Sequence, residues 1–110
     1  MFKAKLEALR ATIERETLAR LQRQYGTGKD WRYADSAKRA RARIVPGRIY
    51  TKVDVGESGK YMVVNETGEI FGIKAYGVIH RGHRYGTLDT IGDYDWGGYT
   101  AIPKGEADGS

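Results

Sequence analysis

Ile49-Tyr50-Thr51-Lys52-Val53-Asp54-Val55-Gly56-Glu57-Ser58-Gly59-Lys60-Tyr61-Met62-Val63-Val64-Asn65-Glu66-Thr67-Gly68-Glu69-Ile70-Phe71-Gly72-Ile73-Lys74-Ala75 is the stretch that decides the fold class. Ile49, Thr51, Val53 and Val55 alternate with Tyr50, Lys52 and Asp54, the period of a half-buried strand. Gly56-Glu57-Ser58-Gly59 and Asn65-Glu66-Thr67-Gly68 are turn sequences, so strands are predicted over 49–55, 60–65 and 69–75. Connections this short join only antiparallel neighbours, and a meander follows.

Downstream of Gly77 the apolar pieces shorten to 78–80, 84–88 and 99–102, with glycines at 82, 86, 92, 97 and 98 between them. Closely spaced short strands of this kind predict a small, strongly bent antiparallel sheet or partly open barrel packed on a helix. That helix is upstream. Phe2, Leu6, Leu9 and Ile13 recur at the spacing of one helical face, and strong helix formers fill the positions between. Leu18, Leu21 and Tyr25 fall on a neighbouring face, so the helix either bends near Thr17 or offers two apolar faces. Glu16 and Arg20 stand in the favourable i,i+4 order, and Gly26 and Gly28 end the element.

The class is therefore α+β in one domain of 110 residues: helix over 1–25, basic connector over 26–47, β region over 48–103 and polar tail over 104–110. Within the connector, Asp35 or Ser36 is placed to cap a short helix over 37–43. Were that stretch extended instead, Arg39, Arg41 and Arg43 would share one side. The candidate core is Leu6, Leu9, Ile13, Ile49, Val53, Val55, Met62, Val64, Ile70, Ile73, Ile79, Leu88 and Ile102.

Charge is unevenly spread. Between Gly26 and Arg48 stand Lys29, Arg32, Lys38, Arg39, Arg41, Arg43 and Arg48 against Asp30 and Asp35, a local excess equal to the whole formal net charge of +5. Elsewhere bases and acids balance. A concentrated cationic segment with Trp31 and Tyr33 inside it reads as a contact surface for a polyanion. In this reading Lys38, Arg39, Arg41, Arg43 and Arg48 meet phosphates, while Trp31 and Tyr33 stack on unpaired bases. The plainer alternative is a solvated helix face whose arginine stems cover apolar surface. No heptads, zinc-finger ligands or aromatic RNA-binding motif accompany the segment, so sequence-independent binding is expected.

The order Lys60-Tyr61-Met62-Val63-Val64-Asn65-Glu66-Thr67-Gly68-Glu69-Ile70-Phe71-Gly72, followed by Arg84-Tyr85-Gly86-Thr87-Leu88 and Tyr94-Asp95-Trp96, resembles a stretch of small uncharacterised bacteriophage-encoded proteins. The resemblance covers 60–96, about a third of the chain, and transfers no catalytic residue. It implies a viral accessory protein acting in the host bacterial cytoplasm. The composition agrees with that compartment: there is no cysteine, no apolar run of membrane-spanning length and no signal-like run after Met1.

Catalytic signatures are sparse. His80-Arg81-Gly82-His83 holds both histidines of the chain in one glycine-containing turn, where the rings need not converge. Joined by Asp89, Asp93 and Asp95 they would give a metal-assisted nuclease, the residual enzymatic reading; solvated side chains on a turn are the plainer one. Glu66 and Glu69 flank a hairpin turn as solvated acids. Trp96 and Tyr99 are read as plugging the end of a barrel. No glycine loop opens a helix in the β half, and no cysteine or Ser-His-Asp set exists, so the chain is read as a non-enzyme without cofactor. The two expected functions are nucleic-acid binding (DNA or RNA) and a protein-interaction module that docks on an acidic host protein. In the second, a helix face is left for a partner or for a homo-oligomer.

Overall fold

The structure, a computed structural model, describes residues 2–26, 31–56, 58–75, 78–98 and 101–104. Helix α1 (Phe2–Tyr25) buries Leu6, Leu9, Ile13, Thr17 and Leu21, a single stripe at spacings of three and then four. The break expected after Ile13 is thus bridged by Thr17, a polar residue sitting in line with the apolar ones. Gly26 closes the helix at φ +84°, its N–H donating to Gln22 O at 2.8 Å. The Glu16–Arg20 pair does not form. Glu16 Oε1 instead accepts the Trp96 N–H at 2.8 Å, and Arg20 Nε donates to Gly97 O at 2.6 Å. No helix among the described residues is long and apolar enough to cross a membrane.

The second helix lies earlier than predicted. Helix α2 spans Trp31–Arg39, so Asp35 and Ser36 sit inside it, and Ala42 and Arg43 belong to a strand. Long-range contacts decide this. Glu14 Oε1 accepts the Ala42 N–H at 2.8 Å and Arg10 Nη1 donates to Ala42 O at 3.3 Å, which satisfies the outer edge of the chain at Ala42 from α1. Ala40 and Ala42 are both buried.

Strands β1 (Ala42–Val45), β2 (Tyr50–Val55), β3 (Ser58–Val64), β4 (Glu69–Ala75) and β5 (Val78–Thr87) form one antiparallel sheet in chain order. The α+β class and the meander hold, but the sheet is open, so the barrel alternative is corrected. The β region also starts at Ala42, inside the stretch read as connector. The pieces predicted at 78–80 and 84–88 are one strand, interrupted where Gly72 pairs His80 and Phe71 pairs Arg84. Residues 81–83 are the surplus and leave the ladder there. A second two-stranded unit pairs β6 (Tyr94–Asp95) with β7 (Ile102–Pro103).

The core lies between α1 and the sheet. Trp96 is fully buried at its centre, with the Tyr61 ring edge-on at 5.3 Å, Tyr94 at 5.8 Å and Tyr85 at 6.5 Å. Its indole N–H donates to Ile91 O at 2.9 Å. Trp96 is therefore a central core residue and no barrel plug, while Tyr99 lies outside the described residues. Gly97 makes the approach to α1 possible, since a Cβ there would stand 2.6 Å from the Glu16 carbonyl oxygen. Ile49, at 63% exposure, and Ile102 leave the predicted core, and Val64, Ile73 and Ile79 are only half-buried outside it, whereas Tyr61, Val63, Phe71 and Tyr85 are buried instead. A bulge between Val53 and Asp54 breaks the alternation of β2 and turns Asp54 inward.

Candidate nucleic-acid interface

Lys38 and Arg39 end α2, Arg41 lies in the two-residue link, and Arg43 is the second residue of β1. Across from them the β2–β3 turn presents Val55, Gly56 and Ser58, and the space between is a groove of about 980 Å³. Its described lining holds four cationic side chains and no carboxylate. Gly56 fixes one wall against the other: at φ +64° its N–H donates to Arg41 O at 2.8 Å, and a Cβ would stand 2.5 Å from Arg39 O. Only glycine meets both conditions.

Two of the cations are positioned by acids. Arg39 Nη2 lies 3.3 Å from Asp35 Oδ2, a solvent-exposed i,i+4 pair. Such pairs contribute about 1 kcal/mol or less, so a phosphate can displace Asp35 at little cost. Arg43 Nη2 lies 3.7 Å from Asp54 Oδ2, and that carboxylate is buried. The Arg43 side chain itself stays 70% exposed.

Trp31 is 75% exposed at the start of α2. Seven residues separate it from Lys38, two helical turns, so both lie on one face roughly 10 Å apart. An indole at that place can stack on a base while Lys38 meets a phosphate further along the strand. Tyr33 differs: it is half-buried and its hydroxyl accepts from Gln22 Nε2 at 3.1 Å, which ties it to α1. Arg48 is exposed but sits in the β1–β2 turn, at the far end of the hairpin from the groove. Lys29 lies outside the described residues. The sequence cluster is thus a groove of Lys38, Arg39, Arg41 and Arg43 with Trp31 beside it, while Tyr33 and Arg48 stand apart.

The histidine turn behaves otherwise than expected. The surplus residues 81–83 fold so that the His80 and His83 rings stack, centroids 4.0 Å apart and planes 23° from parallel. Arg81 packs over the Phe71 ring at 5.7 Å and donates to Tyr50 Oη at 2.9 Å. The aspartates do not join them: Asp89 pairs with Lys5 at 2.6 Å, and Asp95 Oδ1 accepts the Gly97 N–H at 3.0 Å. Among the described residues no three His, Asp or Glu side chains gather as a metal set. Glu69 is ion-paired with Arg84 at 2.9 Å, which holds its carboxyl below the usual value, so it is not the merely solvated acid expected.

Sequence reasoning missed the opposite wall of the groove. Val55 was legible only as a core position of a strand and Gly56 and Ser58 only as a turn, and the signal that singles out Gly56, its left-handed backbone, belongs to the fold. Comparison of the chain with protein-family models, with curated proteins and with solved structures finds no match.

Proposed function

We propose that this chain is a non-enzymatic accessory protein that binds nucleic acid through the groove between α2–β1 and the β2–β3 turn, largely without regard to sequence. The observation that carries this reading is a concave surface with Lys38, Arg39, Arg41 and Arg43 on one side, Val55, Gly56 and Ser58 among the described residues on the other, and an exposed Trp31 nearby. Phosphates enter as counterions leave, so affinity is electrostatic and falls with salt. Among the described residues the groove offers no set of amide or carboxylate side chains to read base edges, which favours a backbone contact. The likeness of 60–96 to bacteriophage proteins fits such a role in a host cytoplasm.

A mobility-shift titration at low salt with DNA and RNA, single- and double-stranded, is the test. Retention that disappears in Lys38→Gln/Arg39→Gln/Arg41→Gln supports the reading. No retention of any of the four sinks it. An acidic host protein is the rival partner for the same cations, and capture from a nuclease-treated bacterial lysate tells the two apart.

A further inference from the structure

Beside the groove, and joined to it at Arg39 and Val55, is a smaller pocket of about 400 Å³ between α1, α2 and β3. Arg20 and Lys60 line it, together with Thr17 and Ser36. Both cations are oriented by consecutive backbone carbonyls: Arg20 Nε donates to Gly97 O at 2.6 Å and Lys60 Nζ to Gly98 O at 3.0 Å. A carbonyl orients a cation without cancelling its charge. Among the described residues neither Arg20 nor Lys60 has a carboxylate in ion-pair range, and no Asp or Glu lines the pocket.

Two further observations point to a missing ligand. Lys60 sits below the usual lysine value because burial, and then the charge of Arg20, disfavour its protonated form. Thr17 is only 6% exposed, lines the pocket, and its Oγ1 is buried without a hydrogen-bond partner. A buried hydroxyl left unsatisfied costs about 1–3 kcal/mol. Two uncompensated cations, a third in Arg39 and a buried hydroxyl donor are together complementary to a tetrahedral oxyanion.

We infer that this pocket binds one phosphate group, held by Arg20 and Lys60 with Arg39 at its mouth and the Thr17 hydroxyl donating from its floor. The inference stands on the pocket alone. It touches the nucleic-acid reading only in the source of the phosphate, either a strand lying in the adjoining groove or a free phosphate.

Inorganic phosphate, titrated against chloride at equal ionic strength and followed by thermal unfolding and amide NMR shifts, is the probe. Saturable stabilisation by phosphate alone is expected, with shifts confined to residues around Thr17, Arg20 and Lys60. Arg20→Gln and Lys60→Met should each weaken it about tenfold or more. Thr17→Val should bind phosphate several-fold more weakly yet be no less stable without it, which separates ligand loss from misfolding. Lys3→Gln, a surface change outside the pocket, should change neither. A single-stranded oligonucleotide then identifies the source. Weaker oligonucleotide binding in Lys60→Met means that a strand phosphate takes the pocket; unchanged oligonucleotide binding beside lost phosphate binding means a free phosphate does. Phosphate that stabilises no more than chloride, or that binds Arg20→Gln and Lys60→Met as tightly as the original protein, overturns the inference. A failed mobility shift with phosphate binding retained would reject the groove and leave the pocket.

Discussion

Two neighbouring stretches along strand β2 are built on opposite principles. Under α1, Val53 and Tyr61 pair across β2 and β3 and join Trp96, Leu9, Ile13 and Ile70 in near-complete burial. Just beyond, where Val55 pairs Ala42, the chain turns outward and four cations gather around a glycine. Burial and shape hold the first region, and the same burial pushes the pKa of the Tyr61 phenol far up. Backbone hydrogen bonds and the Glu14 and Arg10 contacts hold the second, whose four cations stay exposed, Arg39 and Arg43 in ion pairs with Asp35 and Asp54. Stability and binding therefore separate along one pair of strands, and substitutions can move one without the other.

Trp96→Ala should show the largest effect. It removes the central ring and the indole donor to Ile91, and a loss of about 3–5 kcal/mol in urea unfolding is expected. Binding should persist in whatever fraction remains folded. The reverse experiment is Lys38→Gln/Arg39→Gln/Arg41→Gln, expected to lose roughly a hundredfold in affinity at low salt while unfolding within about 1 kcal/mol of the original. Arg43 is kept in that variant on purpose. It neutralises the buried Asp54, and its removal would mix a stability cost into a binding measurement.

Gly56→Ala sits on the boundary between the regions. A Cβ there meets the Arg39 carbonyl from a backbone the side chain disfavours, so about 2 kcal/mol of stability should be lost together with groove geometry. Trp31→Ala should leave stability unchanged and cost about 1 kcal/mol or more of single-strand affinity, with duplex affinity nearly intact. The smallest effect concerns pH. The pKa of Lys60 is lower in the folded protein than the 10.5 of a free lysine. The folded state is therefore penalised while Lys60 is charged, and the penalty disappears as pH rises through the lowered value toward 10.5. Stability measured against Lys60→Met should shift in favour of the original protein over that interval.

Much of this was legible in the sequence where one local period ruled. The α1 stripe through Leu6, Leu9 and Ile13, the antiparallel meander and the cationic segment all follow from spacing. What was not legible depended on distant partners. Ala42 reads as helical material until Glu14 and Arg10 bind its backbone, and that contact spans about thirty positions. Thr17 reads as a break in the stripe because its burial beside Arg20 and Lys60 is a tertiary fact. Ile49 alternates correctly with Tyr50 yet lies in the β1–β2 turn, where no second layer covers it. Trp96, in a glycine-flanked loop, gave no periodic sign that the core would close around it.

The central claim, that the Lys38–Arg39–Arg41–Arg43 groove neutralises phosphates, is tested most directly by the salt dependence of duplex DNA binding, read by fluorescence anisotropy. Four phosphate contacts predict a slope of about −3.6 for log affinity against log salt, falling to about −1 in Lys38→Gln/Arg39→Gln/Arg41→Gln. A slope near zero, or the same slope in both proteins, would contradict it.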